Sequence, residues 1–154
     1  MDSGEQRNPA TSSDITCKLP FTVNEVDQYW GSFVLMSGID SLGNDGSIRL
    51  LYSDWTIAIK NKEVSNSNGD PKQNTPGFSS LIGCKIDKFQ LDEDSGQITL
   101  SSQEILKITI KKNLSVYDDI DRTIWFCFSD SYVSYYPKTG LVTNLKKDTE
   151  VGEP

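Results

Sequence analysis

The sequence predicts a mainly β fold in which antiparallel sheets form a sandwich or a half-open barrel, with two related, hairpin-containing halves and one short N-terminal helix. Apolar and polar residues alternate in several short runs, which is typical of strands with one buried face. Clusters of Gly, Asn, Asp and Ser separate these runs and favour turns. A chain of 154 residues fits one domain. We assign that domain to residues 18–146, between a flexible N-terminal arm (1–17) and a disordered tail (147–154).

The short helix is predicted at residues 22–30, which read TVNEVDQYW. Thr22 followed by Glu25 has the pattern of a capping box, and Val23 and Val26 recur at helical spacing. A glycine then ends the segment. A strand that begins near Val23 is the alternative interpretation.

Three hairpins are predicted where two alternating runs flank a turn, at residues 48–59, 98–110 and 123–136. The first two share Gly-x-Ile-x-Leu before the turn and Ile-x-Ile-Lys after it. The first and the third share an aromatic-Ser-Asp turn. These likenesses predict a structural repeat, although short alternating strands also resemble one another by chance. The side chains that we expect to be buried are Ile57, Ile59, Ile108, Ile110, Trp125 and Phe126.

Further strands are predicted around the hairpins, at residues 32–39, 81–91 and 141–145. Residues 60–80, between the first two hairpins, contain two prolines and few apolar side chains. We therefore predict a long loop there.

The charge of the chain restricts the kind of partner. Asp and Glu number 22 against 15 Lys and Arg, which gives a net charge of −7. A nucleic-acid-binding protein needs a basic surface, and no basic track is visible, whereas an acidic surface favours a basic protein partner. The simpler explanation of the charge is solubility. No apolar run approaches the roughly 20 residues that cross a bilayer, and the start lacks the pattern of a secretory signal, so we expect a cytoplasmic protein without membrane contact.

The sequence contains no recognisable catalytic or metal-binding motif. The chain has no histidine and three scattered cysteines, so the usual zinc ligands and the commonest general base are missing. No nucleophile elbow, phosphate-binding glycine loop or HExxH motif occurs. We therefore expect no enzyme activity, no cofactor, no bound metal and no small-molecule substrate. A carboxylate-dependent hydrolase is the remaining catalytic alternative.

Clustered carboxylates and an aromatic strand are the candidate contacts for a basic partner. Asp118, Asp119 and Asp121 are the first choice, because three charges on one loop can pair with several Lys or Arg residues. Tyr135 and Tyr136 are added because we predict an exposed aromatic edge there.

A second acidic cluster comprises Asp92, Glu93 and Asp94, in a predicted hairpin turn. Asp92, Asp94 and Gly96 begin like a calcium-binding loop, but Gln103 stands where such a loop needs a bidentate Glu. We therefore expect a solvated turn that can contact a partner, not a metal site.

Two stretches of the chain carry a family likeness. Gly83-Cys84-Lys85-Ile86 with Leu91, and Gly96-Gln97-Ile98-Thr99-Leu100 with the strand up to Lys111, resemble bacterial immunity proteins of contact-dependent growth inhibition and related polymorphic toxin systems. The resemblance implies a non-enzymatic acidic protein that neutralises a cognate basic toxin domain, expected to be a nuclease, by blocking its active site.

The alternative function is a carbohydrate- or peptide-binding β module. Trp30, Trp55 and Trp125 would line a sugar-stacking platform if they were exposed around a groove, and otherwise they pack in the core.

Overall fold

Two antiparallel β-sheets form the fold in a computed structural model that describes residues 8–29, 31–103, 105–112 and 122–145. The elements in chain order are β1 (Asn8–Pro9), α1 (Ser13–Thr16), β2 (Phe21–Tyr29), β3 (Phe33–Ile39), β4 (Asp45–Leu50), β5 (Ser53–Ile59), β6 (Lys62–Asn66), α2 (Pro71–Leu81), β7 (Lys85–Ile86), β8 (Lys88–Asp92), β9 (Gln97–Ser102), β10 (Leu106–Lys112), β11 (Ile124–Cys127), β12 (Ser131–Tyr136) and β13 (Gly140–Leu145). The predicted mainly β, antiparallel fold class is confirmed. Within the described chain, neither helix is long and apolar enough to cross a membrane.

The large sheet has eight strands in the order β1-β13-β12-β11-β4-β3-β2-β7, and the small sheet has five in the order β6-β5-β10-β9-β8. Burial alternates along β3 of the large sheet and along β5 and β9 of the small sheet, as the period-two pattern predicts. The inward-facing side chains of both sheets form one hydrophobic cluster. An edge-to-face contact between Phe89 of β8 and Phe126 of β11, with ring centroids 5.8 Å apart, connects the two sheets across the core.

The second and third predicted hairpins are present. β9 pairs with β10 and β11 pairs with β12, and the final predicted strand is β13. Four of the side chains expected to be buried are buried, namely Ile57, Ile108, Ile110 and Phe126. Ile59 and Trp125 are only half-buried.

The first predicted hairpin is wrong. β4 pairs with β3 and β11 in the large sheet, whereas β5 pairs with β10 and β6 in the small sheet. The chain thus crosses between the sheets at Leu51 and Tyr52, and Ser53 already belongs to β5. The two Ile-x-Ile segments lie side by side, with Ile57 opposite Ile108. Their likeness reflects neighbouring strands that face the same core.

The helix predicted at residues 22–30 is also wrong, and the alternative strand is correct. β2 pairs with β3, and the register shifts between Val23 and Glu25, where one extra residue forms a β-bulge. Val23 lies opposite Gly38 and Val26 lies opposite Met36. The bulge therefore puts two valines that are three positions apart on the same face of a strand, and this produces the helix-like spacing.

Residues 60–80 do not form the predicted long loop, because they contain β6 and α2. Asp70 caps α2: its side chain accepts a hydrogen bond from the backbone N–H of Gln73, and the Gln73 side chain accepts one from the backbone N–H of Asp70. Pro71 occupies the first turn of the helix, where it is tolerated.

The prediction of a flexible N-terminal arm at residues 1–17 is wrong for residues 8–17, the part that the structure describes. Residues 8–17 contain β1, which pairs with β13, and α1, whose Ile15 is completely buried. This packing makes them part of the β domain. Residues 1–7 and the predicted tail, 147–154, lie outside the described residues.

Candidate functional site

The acidic turn lies at the tip of the hairpin between β8 and β9. Asp92, Glu93 and Asp94 are all exposed. The Asp92 carboxylate accepts hydrogen bonds from the backbone N–H groups of Asp94 at 3.0 Å and Ser95 at 3.4 Å. The Asp92 carbonyl accepts a third, from the Gly96 N–H at 2.7 Å. Asp92 therefore holds the turn in shape, while Glu93 and Asp94 carry the charges that a partner can reach.

The residues that begin like a calcium-binding loop do not fold into a loop that surrounds an ion. The segment from Asp92 to Gln103 covers a tight turn and then the whole extended length of β9. Across the described residues, no group of three acidic or thiol side chains is placed to hold a metal ion.

Tyr135 and Tyr136 are not on an exposed edge, which corrects the prediction. β12 lies between β11 and β13, so it is an internal strand of the large sheet. The two tyrosines are only 5% and 3% exposed. Each of these tyrosines is therefore accessible only through a cleft, Tyr135 through one and Tyr136 through another.

That cleft brings Glu93 and Tyr135 together. It has a volume of about 580 Å³ and lies between the N-terminal segment 9–12, the acidic hairpin and the turn between β12 and β13. Its apolar lining includes Leu91 and Leu141, and Glu93 and Lys138 are charged residues of its lining. The lining thus combines one carboxylate and one ammonium with apolar side chains, and the Glu93 carboxylate is the group that can pair with a basic side chain whose aliphatic stem packs on the apolar lining.

The first-choice residues, Asp118, Asp119 and Asp121, lie outside the described residues. Their predicted role therefore stays a prediction.

The tryptophans do not form an open platform in the described structure. Trp55 is 1% exposed, and its indole N–H donates to the carbonyl of Ser32 at 2.7 Å. Trp125 is half-buried on the outer face of the large sheet, and the guanidinium carbons of Arg49 and Arg122 lie 4.9 and 4.3 Å from its ring centroid. Trp30 lies outside the described residues.

Sequence reasoning missed this arginine cluster. Arg122 precedes Trp125 by three positions, a spacing that carries no signal in a strand. Arg49 reaches the same ring because it lies directly opposite Trp125 on β4. A pairing between strands so distant in the chain is not visible without the sheet register.

Two titratable groups of the described residues have pKa values shifted by their surroundings. The Lys18 ammonium donates a hydrogen bond to the Asp130 carboxylate at 2.8 Å and lowers the pKa of that carboxyl. Burial raises the pKa of the Cys84 thiol, so this cysteine is not activated as a nucleophile.

Comparison of the chain with protein families, with curated proteins and with solved structures finds no match.

Proposed function

We propose that the protein is a non-enzymatic immunity protein that binds a basic toxin domain and blocks its active site. The observation that carries this proposal is the acidic hairpin tip beside a cleft: Glu93 both lines the cleft and is a neighbour of the exposed Asp94. The net charge of −7 supports it as well. Opposite charges on two partners raise their association rate and restrict their orientation.

Within this proposal the three acidic residues of the tip have different roles. Glu93 and Asp94 contact Lys or Arg side chains of the toxin. Asp92 positions them, because its carboxylate is already bonded to the backbone of the turn. The cleft accepts one long basic side chain of the toxin, whose aliphatic stem packs on Leu91 and Leu141.

A sugar-binding role has less support. Carbohydrate platforms need open aromatic faces, and of the two described tryptophans one is buried and the other carries two guanidinium groups over its ring.

The test looks for a toxin gene beside the gene for this chain and pairs the chain with the toxin domain that such a gene encodes. The toxin's catalytic activity is titrated with the chain, and stoichiometric inhibition with nanomolar affinity, about −12 kcal/mol, is the expected result. Glu93→Gln/Asp94→Asn should weaken binding about tenfold or more and reduce its salt dependence. The matched control is Glu25→Gln/Asp27→Asn, which removes the same two charges from exposed positions on β2 and should leave binding nearly unchanged.

Two results would count against the proposal. One is a toxin that keeps its activity in the presence of excess chain. The other is the absence of any toxin gene beside the gene for this chain.

A further inference from the structure

The arginine cluster on the outer face of the large sheet has an unusual composition for this chain. The sequence contains only three arginines, and two of them, Arg49 and Arg122, lie over the ring of Trp125. Their guanidinium carbons are each within 5 Å of the same ring centroid, so the two positive groups are at most about 9 Å apart and repel each other. In a chain with a net charge of −7, the neighbouring carboxylates that would relieve this repulsion are expected to be plentiful.

Such carboxylates are not found among the described residues. Among the described residues, neither the Arg49 side chain nor the Arg122 side chain makes a hydrogen bond or an ion pair. Both the Arg49 Nε atom and the indole Nε1 atom of Trp125 are buried, and neither has a hydrogen-bond acceptor within the part of the chain that the structure describes. Buried donors without partners are uncommon in folded proteins.

A cleft of about 260 Å³ opens beside this cluster. Its lining includes Arg122, Trp125, Tyr132, Ser134 and Asn144. The cleft therefore combines the guanidinium of Arg122, which precedes β11, with hydroxyl groups on β12 and an amide on β13.

We propose that this cleft binds a small oxyanion, the phosphate or carboxylate group of a ligand, between Arg122 and Ser134. A guanidinium presents a planar fork of N–H donors that matches the oxygens of phosphate and carboxylate. A guanidinium over an aromatic ring keeps its N–H edge for a further partner, and the ring fixes its position. Arg49, on the neighbouring strand, adds a second positive charge. The site is separate from the acidic hairpin and does not depend on the immunity function.

The class of ligand follows from the positive charge of the two arginines and from the guanidinium groups that lie over the Trp125 ring. With two guanidiniums over Trp125, the site is suited to a negative charge and not to stacking of a neutral sugar. Inorganic phosphate and succinate are suitable probes, because they distinguish the two sources of an oxyanion.

The experiment is calorimetric titration of the full chain with each probe at constant low ionic strength, with Trp fluorescence as a second signal. Saturable binding of at least one probe is expected. Arg122→Gln should weaken it about tenfold or more, since it removes a charge-assisted contact. Arg49→Gln removes only the second positive charge, from outside the cleft lining, and should weaken binding by a smaller factor, about threefold. Arg122→Lys keeps the charge and loses the fork, so a weakening of about threefold or more is expected. Lys107→Gln, on the exposed outer face of the small sheet, is the matched control and should change binding less than about twofold.

Three outcomes would overturn the proposal. The first is that the wild-type chain binds neither probe at millimolar concentration. The second is that all the variants, including Lys107→Gln, weaken binding by the same factor. The third outcome concerns Asp118, Asp119 and Asp121, which directly precede Arg122 in the sequence. If only a triple Asn variant of these residues binds the probes, the arginines serve the chain's own carboxylates and not a ligand. If circular dichroism shows that Arg122→Gln does not fold, the comparison of Arg122→Lys with wild type decides whether the guanidinium of Arg122 binds the probe.

Discussion

The side-chain amide of Asn74 on α2 donates a hydrogen bond to the side-chain carbonyl of Gln28 on β2, at 2.8 Å. The same Asn74 amide donates to the carbonyl of Asn66 at 2.9 Å, and its oxygen accepts from the Asn66 N–H at 3.1 Å. Since β2 belongs to the large sheet and β6 to the small one, a single buried amide attaches the helix to both sheets.

Replacement of Asn74 by Ala should therefore destabilise the protein. The change leaves the N–H and C=O of Asn66 and the oxygen of Gln28 without this partner, and a loss of about 1–3 kcal/mol in the free energy of unfolding is expected. Urea denaturation measures it. Ser79→Ala, on the exposed side of α2, is the control, and an equal small loss for both variants would contradict the linking role of Asn74.

Ile108→Ala tests the core between the sheets. Ile108 is completely buried and lies between Leu100 on one side and Ile57 on the other. The variant should lose about 2–5 kcal/mol of unfolding free energy, the usual range for large-to-small changes in a core. Its exposed neighbour Lys107, changed to Ala, should lose far less. A loss under about 1 kcal/mol for Ile108→Ala would show that the site is not well packed.

The contact between Lys18 and Asp130 predicts a dependence of stability on pH. Because the folded state lowers the pKa of Asp130, the contribution of this carboxylate is complete above the ordinary pKa of an aspartate. It is lost as the pH falls through the lowered value. Asp130 is 64% exposed, so solvent screens the pair and the contribution is at most about 1 kcal/mol.

The corresponding measurement compares wild type with Asp130→Asn by thermal unfolding between neutral and acidic pH. The difference in stability should be largest at neutral pH and should shrink in acid. Asp45→Asn, at an exposed position of β4, is the control and should show a smaller difference at neutral pH. A difference for Asp130→Asn that is constant with pH would exclude the charge of Asp130 as its cause.

A triple change of Asp118, Asp119 and Asp121 to Asn separates the two acidic clusters as partner contacts. The change keeps side-chain size and removes three charges. If these residues contact the toxin, association should slow by about tenfold or more and lose part of its salt dependence, measured by surface plasmon resonance. An unchanged rate, affinity and salt dependence would place the contact at the hairpin of Glu93 and Asp94 instead.

We predict no steady-state hydrolysis of nucleic acid, glycan or phosphoester by the isolated chain. The chain has no histidine, and the Asp92 carboxylate is engaged with backbone N–H groups of its own turn. Sensitive turnover assays with each substrate class provide the measurement. Turnover that disappears in Asp92→Asn would contradict the prediction and support a carboxylate-dependent hydrolase.

The strands with one buried face could be predicted from the sequence, because alternating apolar and polar residues indicate directly which side chains are buried. The hairpins β9–β10 and β11–β12 are of this kind. The pattern is lost where the backbone departs from regularity. At the β2 bulge, Val23 and Val26 imitate a helix. In α2 the buried positions 74, 77, 78 and 81 do have helical spacing, but two of them are Asn74 and Gly77, so apolar periodicity alone does not reveal the helix.

The site was harder to predict than the fold, because it depends on which strands are neighbours. The sequence identifies Asp92, Glu93 and Asp94 as an acidic turn. It does not show that Tyr135 lies in an internal strand, since β12 is buried on both faces and lacks clear alternation. Nor does it show Arg49 opposite Trp125, a pairing that only the order of the strands determines.

The position of α2 also has a consequence for self-association. β6 is an outer strand of the small sheet, and the unpaired N–H and C=O groups of an outer strand are a template for strands of other molecules. Here Asn74 occupies both the N–H and the C=O of Asn66, and the side chain of Ser65 donates to the carbonyl of Asn74. The helix thus occupies the edge groups of β6 at Asn66, so a variant that releases α2 exposes this end of the strand and should aggregate through it before it unfolds globally.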